Sequence, residues 1–209
     1  MKYKHIIFDI DGTMLDSAYA DLTALQRVIL ELQNRNYPIS DLHFALGIPG
    51  EVALKQLGIN EVSMANQLWN SYMKELSYTM KLFDGIKELL LELKNRGFKL
   101  GIITSKNKKE FHNDFTPFGI DTYFDTVITV EDSITPKPSA EPMLAYLNKT
   151  GVKPHEVIYI GDTVYDRECA THAGVDFGLA MWGCHSVEQI HATYYFKTPK
   201  EVLNWQKNE

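Results

Sequence analysis

Long apolar stretches are missing from this chain. None of its 209 residues lies in a run approaching the roughly 20 apolar residues that span a bilayer, so no membrane segment is expected. The first apolar run ends at Phe8 and meets Asp9 at once, too short for a secretory signal, and a cytoplasmic protein is expected. Cysteine is scarce: Cys169 and Cys184 lack metal-type spacing and read as reduced thiols without a catalytic role. Basic residues are not in surplus. Lys and Arg number 21 against 27 Asp and Glu, a formal charge of −6, which argues against nucleic acid as a partner while leaving room for one positive pocket. Internal repeats and low-complexity segments are also absent. The length suits one substantial core plus a small extra domain.

What is present starts with Lys4-His5-Ile6-Ile7-Phe8-Asp9-Ile10-Asp11-Gly12-Thr13. A short apolar run closed by an acidic turn and a glycine reads as a buried strand ending in a loop. In extended chain, side chains two apart share a face, so Asp9 and Asp11 can converge beyond the strand's carboxyl end. Open parallel sheets bind ligands there. Two carboxylates that close need a compensating charge, and Gly12 permits a sharp turn and close approach to a ligand. Alone, the segment is more simply a solvated acidic turn. Its weight comes from the remainder of the chain.

Residues 16–82 read as helices only. Asp16 or Ser17 is suited to cap a helix carrying Leu22, Leu25, Val28, Ile29 and Leu32. Short helices are expected at 40–46 and 50–57, and a longer amphipathic one at 61–79. The stripe Trp69, Tyr72, Met73 and Leu76 on that last helix reads as packing within the helical unit rather than as a substrate pocket. From Phe83 onward helix and strand alternate. Helices are expected at 86–96, 108–115, 140–149 and 167–173, and strands at 98–104, 124–129, 157–160, 175–180 and 194–196. This alternation gives βαβ units and a parallel sheet. The expected architecture is therefore α/β: a Rossmann-like core of residues 1–15 and 83–209, with an all-helical cap domain, residues 16–82, inserted over the strand ends where a lid belongs. The charged face of the 86–96 helix is expected to be merely solvated.

Each core strand then delivers polar groups at its carboxyl end. The first gives Asp9 and Asp11, the second Thr104, Ser105 and Lys106; the loop after the third carries Lys137, and the fourth ends in Gly161-Asp162-Thr163-Val164-Tyr165-Asp166. Three carboxylates in one cleft require a cation, and all-oxygen donors favour Mg²⁺ over zinc or copper. The set suits phosphoryl transfer. One carboxylate can attack phosphorus and form an aspartyl-phosphate, while the metal and a lysine neutralise the phosphoryl oxygens. A second carboxylic acid can protonate the leaving oxygen and later activate water. Bland roles compete: Thr104 and Asp166 can cap the helices that follow them, Lys137 alone would be a solvated turn residue, and His43 and His185 read as packed or surface histidines.

With all four segments in hand, the chain resembles the haloacid dehalogenase superfamily, in its phosphoglycolate-phosphatase-like branch. The family's D-x-D-G-T motif stands as Asp9-Ile10-Asp11-Gly12-Thr13, its Thr/Ser strand end as Gly101-Ile102-Ile103-Thr104-Ser105-Lys106, its lysine motif as Lys137-Pro138 and its acidic motif as Gly161 to Asp166. Phe83-Asp84-Gly85-Ile86 and Met181-Trp182-Gly183 are similar to further segments of that branch. Order and spacing fit over nearly the whole chain. The departures, Ala140 and Asp84 where the family often has proline, lie outside the chemistry. The resemblance implies that Asp9 is the nucleophile and a Mg²⁺ ligand, and that Asp11 is the acid/base with its backbone carbonyl on the metal. It further implies that Ile10, Asp11, Thr104, Ser105 and Lys137 hold the phosphoryl group, and that Asp162 is a metal ligand. Asp166 would bind the metal directly, bind it through water, or orient Lys137.

The leading expectation is a Mg²⁺-dependent phosphatase acting on a small phosphomonoester, as a monomer or homodimer. Phosphoglycolate, sugar phosphates, nucleoside monophosphates and pyrophosphate all stay open. A phosphomutase of the β-phosphoglucomutase type would need a second phosphate site; its relatives carry an arginine in a loop like Gly47-Ile48-Pro49-Gly50-Glu51, which has none here. A receiver domain also gathers acids, a hydroxyl and a lysine, but lacks a helical insert and the Asp9/Asp11 spacing. A non-catalytic partner subunit is not suggested by a chain that keeps every motif acid.

Overall fold

Residues 2–205 are described by the computed structural model. Strand β1, His5–Phe8, has Ile6, Ile7 and Phe8 fully buried, because both faces of its sheet are covered. A two-residue antiparallel ribbon, β2 (Leu15–Asp16) with β3 (Lys81–Leu82), stands apart. The other strands are β4 (Lys99–Ile103), β5 (Thr126–Ile128), β6 (Val157–Gly161), β7 (Asp176–Ala180) and β8 (Tyr194–Phe196). They join β1 in a six-stranded parallel sheet of order β5-β4-β1-β6-β7-β8. The expected α/β parallel-sheet class is the observed one. Because β4 and β6 flank β1, the residues just past their ends lie side by side at one edge of the sheet.

Side-chain alternation divides β1 between two cores. Ile6 and Phe8 join Leu100, Ile102, Ile158 and Ile160 on one face, whereas Ile7 joins Ile103 and Tyr159 on the other. The helices, in chain order, are α1 (Ala18–Gln33), α2 (Gly50–Gln56), α3 (Val62–Leu76), α4 (Ile86–Asn95), α5 (Lys108–Glu110), α6 (Glu141–Thr150), α7 (Val164–His172) and α8 (Pro199–Trp205). Helix α4 covers the first face with Ile86, Leu89, Leu90 and Leu93, and α6 and α7 cover the second with Met143, Tyr146, Leu147, Cys169 and Ala170. Gly101 of β4 is glycine because a Cβ there would lie 2.3 Å from the Tyr146 ring.

Residues 18–79 form α1 to α3 with 3₁₀ turns at Ile39–Ala45 and Ser77–Thr79. Leu22, Leu25, Val28 and Ile29 of α1 are buried with Trp69, Met73 and Leu76 of α3 in one cluster. The chain enters and leaves this helical unit through the β2–β3 ribbon, a pair of strands that the all-helical reading of 16–82 did not contain. Two residues per strand are too few to leave an alternating signature.

Four other expectations change. Ser17 precedes α1 but gives it no side-chain cap; its hydroxyl donates to Asp11 Oδ1 at 2.7 Å instead. Asn107, not Thr104, caps α5, which passes into a π-helical turn at Phe111–Phe115. Helix α7 starts at Val164 rather than 167 because Thr163 and Asp166 form a reciprocal cap. The charged face of α4 is not merely solvated: Arg96 donates to Glu92 at 2.8 Å and to the Leu203 carbonyl at 2.8 Å, and Lys94 to Asp125 at 2.8 Å.

Asp125 also accepts from the Leu100 amide at 3.0 Å and from Lys99 at 3.1 Å. Burial pushes its carboxyl up, but the bonds from Lys94, Leu100 and Lys99 outweigh that and bring it down to about 2. A folded-state value below the unfolded one adds stability above the ordinary Asp range, lost as pH falls through about 2. Asp125→Asn is thus expected to lose about 1 kcal/mol at pH 7, discounted for solvent exposure. In urea titrations the difference from the parent should vanish towards pH 2.

Candidate active site

The sheet edge brings the predicted acids together. The Asp9 amide donates to the Ile160 carbonyl at 2.9 Å, which pins this residue between β1 and β6 just past the last β1 pair. Asp162 follows β6, and Asp166 lies in the first turn of α7. Carboxylate oxygens of Asp9, Asp162 and Asp166 all fall within 4.8 Å of one another, and all three residues are buried. Lys137 reaches in from the loop between β5 and α6. Its Nζ donates to Asp9 Oδ1 at 2.9 Å and to Asp166 Oδ1 at 2.6 Å.

Tyr159 completes this cluster. Its hydroxyl accepts from Lys137 at 3.3 Å and shares its proton between Asp166 Oδ1 at 2.9 Å and the Ile103 carbonyl at 3.0 Å. Sequence reading missed it, although a tyrosine in the middle of an apolar strand, Val-Ile-Tyr-Ile-Gly, has to find a partner for its hydroxyl. The second Asp166 oxygen accepts from the Thr163 amide at 3.0 Å and the Thr163 hydroxyl at 2.6 Å. Asp166 therefore takes part in the cap of α7 and bonds Lys137 at the same time.

Asp162 accepts from the Thr13 hydroxyl at 2.8 Å. Gly12 lies against its other oxygen: a Cβ there would come within 2.1 Å of Asp162 Oδ2, and φ of +77° also demands glycine. The turn is held from outside by Trp182, whose indole donates to the Thr13 carbonyl at 2.8 Å, and by Gly183, where a Cβ would fall 1.7 Å from the Gly12 carbonyl oxygen.

The charges do not balance. Burial first, then Asp166 and Asp9, drive the Asp162 carboxyl well up; burial, with Asp166 and Asp11, also raises Asp9 against the pull of Lys137. Three buried carboxylates face one buried ammonium. A divalent cation fits that deficit, and the all-oxygen donor set is that of a hard ion such as Mg²⁺. The Asp11 side chain lies outside this trio, so it is not part of the carboxylate set.

Above the cluster, a cleft of about 70 Å³ is lined by Asp9, Asp11, Thr104, Ser105, Lys106 and Lys137 from the core, and by Asp21, Asn66 and Trp69 from the helical unit. Thr104 Oγ1 accepts from the Lys106 amide at 3.2 Å. The Ile10 side chain is fully buried, which leaves only its backbone to meet a ligand. Ser105 uses its hydroxyl to hold the cap, donating to the Gly47 carbonyl at 2.8 Å. Two further contacts seat the helical unit on the core: Asn70 to Glu110 at 3.3 Å and Tyr165 to the Phe44 carbonyl at 3.2 Å. His43 and His185, which read as packed or surface histidines, meet across the same seam with rings 4.7 Å apart. Trp69 and Met73 both pack the cap and line the cleft, whereas Tyr72 turns outward and donates to Glu31.

Lys106 follows Thr104 and Ser105 in the motif that ends β4. It pairs with Asp11 Oδ2 at 3.2 Å and with Asp114 at 3.2 Å. Burial pulls its ammonium down, but Asp11, Asp114 and Asp21 outweigh burial and hold it above the ordinary lysine value. No spacing rule reveals this partnership, because Asp114 arrives through the π-helical turn.

Comparison with known proteins agrees with this arrangement. Residues 6–180 match the family model for haloacid dehalogenase-like hydrolases, and the chain belongs to that family of enzymes. It is 26% identical over 98% of its length to a pyrophosphatase from Halalkalibacterium halodurans, of which 97% is covered. It is 25% identical over 97% of its length to a phosphoglycolate phosphatase from Aquifex aeolicus, with 96% of that protein covered. Among solved structures, a candidate phosphoglycolate phosphatase from Lactobacillus plantarum superposes with a TM-score of 0.89 at 28% identity, covering 98% of this chain and 99% of that one. No helix among the described residues is long and apolar enough to cross a membrane.

Proposed function

We propose that this hydrolase is a Mg²⁺-dependent phosphatase that cleaves a small phosphomonoester through an aspartyl-phosphate on Asp9, and that it works in the cytoplasm. The observation carrying the reading is the buried Asp9–Lys137–Asp166 chain, with Asp162 beside it, at the floor of a cleft whose wall holds Asp11 and Thr104. Asp9 and Asp162 would hold the metal, with the Asp11 carbonyl. Asp166, both oxygens already bonded, serves to orient Lys137. When bound, the ion neutralises phosphoryl charge and relieves the crowding of the carboxylates.

The chain's own residues supply the steps. Lys137 fixes the Asp9 carboxylate for in-line attack on phosphorus and neutralises a phosphoryl oxygen. As the Asp9–phosphorus bond forms, the bond to the leaving oxygen breaks, and Asp11 gives that oxygen a proton. Asp11 then takes a proton from water, whose oxygen attacks phosphorus and releases Asp9. The Thr104 hydroxyl and the amides of Ile10, Asp11 and Ser105 receive the phosphoryl oxygens. Residues 16–82 act as a cap that excludes bulk water.

The test is phosphate release from p-nitrophenyl phosphate with Mg²⁺ and after chelation by EDTA. Release should stop on chelation and return when Mg²⁺ is restored. Turnover that is indifferent to chelation would remove the metal from the reading. No release from any ester by folded protein would remove the phosphatase.

A further inference from the structure

Beyond the phosphoryl cluster, the cleft is acidic. Asp21, Glu110 and Asp114 line it along with Asp11, and its cations among the described residues are Lys106 and Lys137. Neither is free to receive a second anion. Lys137 is held by Asp9 and Asp166, and Lys106 by Asp11 and Asp114. A leaving group carrying a carboxylate or another phosphate would meet carboxylates with no cation to offset them, and like charges brought together cost several kcal/mol.

A second observation concerns Trp69. It is only 5% exposed, and its indole Nε1 is buried without a hydrogen-bond partner among the described residues. The side chain lines the cleft beside Asp21. Burial, with Asp11 beside it, raises the Asp21 carboxyl to about 7, and Lys106 and the nearby Trp69 N–H pull against that; among the described residues the N–H still makes no hydrogen bond of ordinary geometry. A buried orphan donor costs about 1–3 kcal/mol. Asp21 itself is a half-buried carboxylate on α1 with no ion pair within 4 Å among the described residues, so a donor and an acceptor, neither fully bonded, stand next to each other in the cleft wall. A hydroxyl group donates once and accepts twice, and so satisfies both. An ammonium can answer only the acid, and a carboxylate only the indole.

We propose that the substrate's leaving group is a short, uncharged polyol, one of whose hydroxyls bridges Trp69 Nε1 and the Asp21 carboxylate. The inference rests on the phosphatase reading and names the substrate class of that site. The cleft volume of about 70 Å³ with the cap in this position keeps the group short, well below the several hundred Å³ of pockets for drug-sized ligands. Phosphoglycolate and pyrophosphate, whose leaving groups are anionic, are then poor substrates for this chain.

The experiment compares kcat/KM for glycerol 3-phosphate, phosphoethanolamine, phosphoglycolate, inorganic pyrophosphate and p-nitrophenyl phosphate, in the parent protein, Trp69→Phe and Asp21→Asn. Glycerol 3-phosphate is expected to exceed phosphoglycolate and pyrophosphate by at least about tenfold. Trp69→Phe keeps the apolar bulk and loses the donor, so it should lower kcat/KM for glycerol 3-phosphate about fivefold more than for p-nitrophenyl phosphate. Asp21→Asn should narrow the gap between glycerol 3-phosphate and phosphoglycolate. Phosphoglycolate or pyrophosphate ranking equal or first overturns the proposal while leaving the phosphatase intact, and phosphoethanolamine ranking first overturns the hydroxyl bridge. Absence of release from every compound, p-nitrophenyl phosphate included, removes the phosphatase reading and this inference with it.

Discussion

Lys137→Met is expected to lower the melting temperature by about 10 °C and to cut phosphate release about 10³-fold. Lys137 is 3% exposed and is the ammonium that pairs with both Asp9 and Asp166. Burial pulls its ammonium down, but the two carboxylates outweigh burial and keep it charged. Methionine keeps the unbranched apolar stem, one atom shorter, and leaves the carboxylates and the Tyr159 hydroxyl without their donor. Removing one partner of a buried ion pair costs about 3–5 kcal/mol. At about 2–4 °C per kcal/mol for a chain of this size, the shift is large enough to read by calorimetry. Added Mg²⁺ should recover part of it, because the ion binds the folded state alone. A variant that melts within a degree or two of the parent and still turns over would contradict the charge balance drawn for the site.

Asp9→Asn should move stability the other way. Burial and its acidic neighbours raise this carboxyl in the folded protein, so its ionised form opposes folding at neutral pH. The amide oxygen can still accept from Lys137, while the excess negative charge falls by one. The metal-free variant is therefore expected to melt about 2–5 °C above the metal-free parent. Activity should drop by at least about 10⁴-fold, because an amide cannot form the aspartyl-phosphate. The Mg²⁺-induced rise in melting temperature should shrink. Opposite thermal shifts with shared loss of turnover would separate the proposed nucleophile from the residue that neutralises it. A lower melting temperature for metal-free Asp9→Asn would mean that its pairing with Lys137 outweighs the crowding.

The parallel sheet was legible because its strands are short, continuous apolar runs, a pattern imposed by cover on both faces. Asp9, Thr104 and Asp162 could be placed at one edge because each directly follows such a run. What stayed hidden depends on partners distant in sequence. Ser17 reads as a helix cap until the fold offers it Asp11 six residues back. Lys106 looks like a loop lysine until a π-helical turn presents Asp114. Tyr159 hides inside an apolar run, and its role depends on Lys137 arriving from another loop. Asp21 and Trp69 belong to helices whose pattern reports only their own packing; that they line the cleft depends on how those helices rest on Gly47, Ser105, Asn70 and Glu110. Helix α8 went unseen because only Pro199 and Val202 of its seven residues are buried, too few to leave a helical stripe.

Three tryptophans occupy separate stations. Trp69 closes over the cleft, Trp182 grips the turn that follows β1, and Trp205 packs against Tyr3, Tyr194 and Phe196 at the far end of the sheet. The molecule thus carries its own optical reporters. Emission from a protein retaining Trp69 alone would follow ligand entry, that of Trp182 would follow order in the Asp9 to Thr13 turn, and that of Trp205, fed by energy transfer from the tyrosines it touches, would follow loss of the sheet edge. Three single-tryptophan variants can therefore be read by fluorescence at three separate places without any label.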